Sequence, residues 1–251
     1  MSTKPVALIL GSGSNVGTAI TASLTALNYR IASASRSGTN SLNPSTGTLS
    51  LTADFTHPSS IPALFTAVKK EFGISPTVVI YNAAALTPPP VEGSVLSVPA
   101  EQFTQDLNVN TVSPYIAAME AVKAWETMEK TETRGGGDGD DDDNNEKKKT
   151  KKTFIYTGNL LNQTIMPVPS LLTLGVGKSA SAHWVGLADA TYAARGYRFF
   201  YADQRQPDGK PMMEGVDGPA HGEFYAKLVQ HGSDQVPWLA TFVKDKGYVQ
   251  F

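Results

Sequence analysis

Residues 6–20, Val-Ala-Leu-Ile-Leu-Gly-Ser-Gly-Ser-Asn-Val-Gly-Thr-Ala-Ile, decide the fold. Val6 to Leu10 is a five-residue apolar run of the kind that forms a buried strand. Gly11 to Gly17 then reads as a tight loop. Apolar residues at helical spacing (Ala19, Ile20, Leu24, Leu27) follow at once. A strand, a glycine-rich turn and a helix N-terminus in succession make an anion seat. Free N–H groups and the positive end of the helix dipole face whatever lies over the loop, and the glycines let a pyrophosphate approach the backbone. Gly11, Ser12, Gly13, Asn15, Val16 and Gly17 are therefore candidate dinucleotide-binding residues.

The pattern continues outward. Tyr29–Ala34 is a second strand, and its tip carries Arg36 between Ser35 and Ser37 with no acid present. In such folds a carboxylate at this tip accepts from a ribose 2′-hydroxyl and a cation accommodates a 2′-phosphate, so Arg36 predicts NADP(H) in preference to NAD(H). Residues 38–47 are turn-rich. Thr48–Ala53 alternates as a strand ending at Asp54-Phe55, and a helix is expected from an N-cap at Ser59 to Phe72-Gly73. Thr77–Tyr81 is a buried strand that stops at Asn82-Ala83-Ala84. One long helix is expected from Ala100 to Met128 with Asn110 inside it. Phe154–Gly158 is the fifth strand, and a loop from Asn159 to Ser170 leads into a helix bearing Lys178. Tyr197–Ala202 is the sixth strand. Residues 203–220 read as a substrate-side loop, followed by a helix over Ala220–Gln230 and a closing strand over Trp238–Val243. Strands alternating with helices predict a doubly wound parallel α/β sheet in one domain spanning 1–251.

Residues 131–152 break the pattern. They contain no apolar residue and carry seven acids and six bases. Such a block buries nothing to offset its ordering entropy, so a disordered surface insertion is expected. Its aspartates lack the spacing of a calcium loop. In the whole chain, 41% of residues are hydrophobic, 18% are charged and the formal net charge is −2, which argues against nucleic-acid and membrane partners. There is no cysteine, excluding disulfides, thiolate metal sites and a cysteine nucleophile. The first apolar run is too short for a signal peptide and no 18-residue apolar stretch exists, so a cytoplasmic protein is expected.

These residues resemble the short-chain dehydrogenase/reductases, over nearly the whole chain outside 131–152. Gly11 and Gly17 match the outer glycines of the family's TGxxxGxG. Leu10 replaces its threonine and Asn15 its middle glycine, a residue type that tolerates a left-handed backbone. Asp54, followed by Phe55, matches the acid that meets the adenine, and Asn82-Ala83-Ala84 resembles the family's NAG. Asn110 matches its helix asparagine and Lys178 the lysine of YxxxK. The resemblance implies a Rossmann-type fold, NADP(H), a small-molecule substrate and a homo-oligomer, dimer or tetramer, paired through the long helix and its neighbour.

The departures fall on the chemistry. Leu174 stands where the family has the proton-donating tyrosine, Asn159 where it has the partner serine, and Gln204-Arg205 where it has Pro-Gly. A retained lysine without the tyrosine resembles a divergent subgroup. Lys178, Asn110 and Asn159 are the candidate catalytic residues, and the resemblance implies that Lys178 also binds the cofactor, at its nicotinamide ribose hydroxyls. The stand-in proton donors are Lys178, a water held by Asn110 or Asn159, His183, Tyr156 or Tyr201, although helical geometry turns His183 about 140° from Lys178. Asn159 is also a candidate oxyanion donor. Leu86–Val91, Leu160–Leu174 and Asp203–Val216 are expected to line a mostly apolar substrate pocket. Three activities suit this set: an NADP(H)-dependent oxidoreductase with an atypical proton donor, a non-redox cyclase or isomerase, and a non-catalytic NADP(H)-binding sensor.

Overall fold

The computed structural model describes residues 4–134, 151–230 and 235–251. One nine-stranded sheet organises them. Its parallel centre, in spatial order, runs β4 (Leu49–Thr52), β2 (Arg30–Ser35), β1 (Val6–Leu10), β5 (Val78–Tyr81), β6 (Lys152–Thr157), β7 (Tyr197–Arg205) and β8 (Leu239–Val243). Two short antiparallel strands, β3 (Ser41–Leu42) and β9 (Gly247–Tyr248), flank the edges. The chain builds outward from β1 to β4, then returns to place β5 on the other side of β1. This reversal opens a crevice at the carboxyl ends of β1 and β5, where ligands of such sheets bind.

Period-two alternation sorts side chains to the two faces. Val6, Leu8 and Leu10 of β1 pack with Val79, Phe154 and Phe199 under α2 (Ile61–Phe72), α4 (Ser113–Arg134) and α5 (Leu172–Tyr192). Ala7 and Ile9 pack with Ile80, Ile155 and Phe200 under α1 (Val16–Ala26) and α6 (Gly218–Gln230). The doubly wound parallel sheet is as expected. At its centre Tyr81, Tyr156 and Tyr201 lie in register on β5, β6 and β7, and their rings stack at 5.9 and 5.5 Å.

Several boundaries differ from expectation. The long helix is divided: α3 (Ala100–Leu107) and α4 are joined by a π turn over Asn108–Val112. Such a turn takes carbonyls out of the i→i+4 pattern, and here side chains collect them. Val109 O accepts from Tyr81 Oη (2.6 Å), and Asn110 O accepts from Tyr156 Oη (2.8 Å) and Ser181 Oγ (2.7 Å). α4 extends to Arg134, and Lys152 belongs to β6, where its buried ammonium meets Glu129 at 3.0 Å. The expected insertion thus loses residues 131–134 and 152 to regular elements, and 135–150 lie outside the described residues. Ser59 caps nothing, because a 3-10 turn over Pro58–Ser60 precedes α2. β7 runs three residues past Ala202, so Asp203, Gln204 and Arg205 are strand rather than loop. Their polarity suggested a loop. The strand tolerates it because Asp203 and Arg205 share a face and neutralise each other.

Candidate functional site

A cavity of about 500 Å³ occupies the crevice. Gly11, Ser12, Gly13, Arg36, Asp54, Phe55, Asn82, Ala83 and Ala84 all line it, so nine sequence-predicted residues converge there. Ser35, Ser37, Thr56, Ala85 and Val109 complete the wall. Gly11 is required by shape: at φ +97° a Cβ would come within 2.4 Å of Ala83 N, against the end of β5. Asn82 fixes this approach, donating from Nδ2 to Gly11 O at 2.9 Å. A Cβ on Gly13 would touch nothing, which leaves open space beside the loop backbone.

At the far end, Arg36 is exposed and makes no hydrogen bond or ion pair among the described residues. The hydroxyls of Ser35 and Ser37 lie 3.3 Å apart beside it. Asp54 accepts from Thr56 N (3.0 Å) and Thr56 Oγ1 (2.8 Å). The Thr56 N–H, then its hydroxyl, hold the Asp54 carboxyl below its ordinary range, with His57 and Arg36 adding to the effect.

Asn15 does something else. Its backbone, at φ −91°, is not left-handed, contrary to the sequence expectation. Its side chain donates to Val216 O (2.9 Å) and accepts from Gly218 N (3.0 Å), clamping the start of α6 to the glycine loop. Neither Asn15, Val16 nor Gly17 lines the cavity. Gly17 packs inward, where a Cβ would meet Ser12 Cα at 2.7 Å.

None of the three candidate catalytic residues lines this cavity. Asn110 is fully buried and its amide is spent on Ala85, accepting from the backbone N–H at 3.0 Å and donating to the carbonyl at 2.7 Å. Tyr156 and Ser181 take its own carbonyl. Through these bonds the Asn110 side chain acts as a strut between the β5 loop and the π turn. Tyr156 and Tyr201 are likewise occupied. Their hydroxyls donate to Asn110 O and to Asn159 O (2.9 Å), and burial raises both above the ordinary phenol range. His183 is exposed on α5 and lines none of the cavities named here.

Two groups remain. Asn159 accepts from Leu161 N at 3.1 Å to cap the turn Leu160–Asn162, and its Nδ2 has no acceptor among the described residues. Lys178 is buried, donates to Thr157 O at 2.6 Å and lies 4.4 Å over the Tyr156 ring. Desolvation lowers its pKa to about 7, partly opposed by the field of Asp203. Leu174 offers nothing to donate.

Sequence reasoning missed the buried Asp203–Arg205 pair (Nε to Oδ2, 2.5 Å), and missed Asp106, whose carboxylate accepts from Thr173 Oγ1 at 2.7 Å. Two charged residues spaced i, i+2 at the end of an apolar strand were the available signal for the first. Of the three segments expected to line a substrate pocket, only 160–174 borders a second cavity. An apolar cavity of about 660 Å³ is walled by Leu161, Met166, Val168, Leu172 and Val176 with Val95, and neither 86–91 nor 203–216 reaches it.

No protein-family model matches the chain. It is 36% identical over 260 residues to a short-chain dehydrogenase/reductase of Cryptosporiopsis sp. (strain 8999), covering 99% of this chain and 95% of that protein. Among solved structures it superposes on a 3-ketoacyl-(acyl-carrier-protein) reductase from Brucella melitensis complexed with NADH, with TM-score 0.74 and 15% identity over 97% of this chain and 99% of that one. It also superposes on an NADPH-dependent 3-quinuclidinone reductase from Rhodotorula rubra, with TM-score 0.71 and 18% identity over 98% and 92%. At these identities the two structures speak for the fold. The curated relative, aligned nearly end to end, speaks for ancestry: this protein belongs to the short-chain dehydrogenase/reductase family.

Proposed function

We propose that this protein is an NADPH-dependent reductase of lipophilic small molecules, from a branch of the family in which Lys178 supplies the proton that a tyrosine supplies elsewhere. The observation that carries the reading is the crevice. Its volume suits a cofactor site, its floor is a glycine loop at a helix N-terminus, and its far end holds a guanidinium that is unpaired among the described residues and flanked in sequence by two serines. Gly11 to Gly13 would seat the pyrophosphate, Arg36 with Ser35 and Ser37 the 2′-phosphate, Asp54 the adenine, and Ala83 and Ala84 the nicotinamide half. The reductase from Rhodotorula rubra, described as NADPH-dependent, agrees with this choice of cofactor. When bound, NADPH supplies a hydride to the acceptor carbon of the substrate.

The chain supplies the proton. With Tyr156, Tyr201, His183 and Asn110 engaged or remote, Lys178 is a buried group able to release one near neutrality. Its Nζ–H bond breaks as the acceptor heteroatom takes the proton, and solvent restores it. The free Nδ2 of Asn159 donates to the oxygen on which charge develops. The apolar walls from Leu161 to Val176 favour a lipophilic substrate. Tyr115 and Met119 of α4 and Leu187 of α5 are exposed around a groove of about 320 Å³, which supports a homodimer through that face.

A second reading, a non-catalytic NADP(H)-binding protein, is favoured by the inward bond from Lys178 to Thr157 O. Calorimetric titration with NADPH and NADH, followed by NADPH absorbance against ketones, enones and imines, separates the two. The reductase reading expects NADPH binding and substrate-dependent oxidation that Lys178→Met abolishes without losing cofactor affinity. Binding with no oxidation across the panel favours the sensor, and oxidation surviving in Lys178→Met removes lysine as donor.

A further inference from the structure

We propose that Asp203 and Arg205 are positioning residues for Lys178, a buried charge pair whose balance decides how tightly that lysine holds its proton. The inference deepens the reading of Lys178 as proton donor and rests on it. Its physical basis is a property of the chain alone.

Placement comes first. In β7, Tyr201, Asp203 and Arg205 alternate onto one face, and Tyr201 packs in the core layer beneath α5, the helix that carries Lys178. All three charged groups are withdrawn from water: Lys178 is 4% exposed, Asp203 1% and Arg205 2%. Each guanidinium nitrogen of Arg205 makes a hydrogen bond. Its Nε donates to Asp203 Oδ2 at 2.5 Å, one terminal nitrogen to Gly209 O at 3.0 Å and the other to Gln163 Oε1 at 2.9 Å. A guanidinium is a full positive charge in a protein.

The charges therefore do not cancel. With Lys178 protonated, two buried cations share one carboxylate. With Lys178 neutral, the cluster balances. An uncompensated charge in a dry interior is costly, and the group that can shed it does so. Asp203 attracts Lys178, but its Oδ2 is bonded to Arg205 Nε, and the hydrogen bond of the lysine goes to a carbonyl (Thr157 O) above a ring face (Tyr156). The same competition shows at Asp203, which burial pushes up to about 6 against the opposing pull of Arg205 and then Lys178.

The other ionisable groups packed around this point are accounted for. Tyr156 on β6, Tyr201 on β7 and Tyr225 on α6 are phenols that burial keeps neutral, and Tyr225 donates to Thr157 Oγ1 at 2.9 Å. On α3, Asp106 is bonded to Thr173, which lies more than a turn before Lys178 on α5. Gln204-Arg205 stands where the family resemblance places Pro-Gly. The charge pair thus coincides with the loss of the tyrosine in the same chain.

The two partners have opposite effects, and this is what can be tested. Arg205→Gln frees Asp203 for Lys178 and strengthens its hold on the proton. Asp203→Asn leaves two cations together and weakens it. The full chain, labelled with 13C-lysine and free of ligand, is titrated by NMR at the lysine ε-methylene, with the Lys178 signal assigned by its loss in Lys178→Met. The expected wild-type inflection lies near neutrality. It moves up in Arg205→Gln and down in Asp203→Asn, each by about one to three units, while Arg205→Lys, which keeps the charge, stays close to wild type. Both variants moving the same way, or neither moving, overturns the proposal. A wild-type Lys178 inflection in the ordinary lysine range overturns it with no variant needed, so a variant that fails to fold does not protect it. The NADPH panel above is scored separately. The opposed shifts without NADPH oxidation sink the reductase reading and leave the charge pair standing. Oxidation without the shifts does the reverse.

Discussion

Replacing Arg36 with alanine tests the cofactor assignment most directly. Arg36 lines the crevice at the tip of β2, between two serines in sequence, and makes no hydrogen bond or ion pair among the described residues. Its removal therefore breaks no internal bond and leaves the fold intact. What it removes is a charge-assisted contact to a 2′-phosphate, worth about 1.5–3 kcal/mol. Arg36 is exposed and screened, so the lower half of that range applies. At 1.4 kcal/mol per tenfold, NADPH should bind the variant roughly twelve- to fortyfold more weakly. NADH carries no 2′-phosphate and should change by less than about twofold on the same reasoning. Calorimetric titration of both nucleotides into both proteins, at two salt concentrations, reads this out, and the NADPH preference should shrink as salt rises. Equal weakening of NADPH and NADH would refute the reasoning, because it would place Arg36 on the adenine ring. No change in either would mean that it is a solvated surface charge.

Gly177→Ala would place a Cβ within 2.4 Å of Asn110 Cβ, where α5 crosses the π turn. Overpacking of this kind costs about 1–3 kcal/mol, and an unchanged Tm would show that the turn yields. Trp125 is fully buried and donates from Nε1 to Pro76 O at 2.9 Å. Trp125→Phe strands that carbonyl at a cost of about 1–3 kcal/mol, read as a fall in the denaturation midpoint. Lys178 binds its proton less tightly folded than unfolded. Between about pH 7 and its ordinary 10.5 the unfolded chain therefore holds more protons, and the contribution of Lys178 to stability rises with pH. Denaturant titrations across that window should show the rise in wild type and its loss in Lys178→Met, and parallel profiles would contradict it.

Much of this architecture was legible because it depends on local pattern. The apolar runs at β1, β5 and β6, the glycine turn between β1 and α1, and Arg36 at the tip of β2 placed the sheet and most of the crevice wall directly. Asn110 and Asn15 were less legible. Their type and position suggested ligand contacts, yet a side-chain amide bonds whatever backbone folding brings near, and here those partners are Ala85 and the Val216–Gly218 segment. β7 was cut short for a related reason. A polar Asp-Gln-Arg end reads as loop until the strand places Asp203 and Arg205 on one buried face, where they neutralise each other.

The sequence by itself determined the doubly wound sheet, the order of its main elements and the glycine seat, since strand and helix periodicities and glycine's conformational freedom act over a few neighbouring residues. Only the tertiary structure decided that Asn110 is a strut, that the phenols are occupied, and that Lys178, Asp203 and Arg205 are all buried. Burial and charge balance are sums over groups brought together from distant points in the chain, and a lysine's hold on its proton follows that sum.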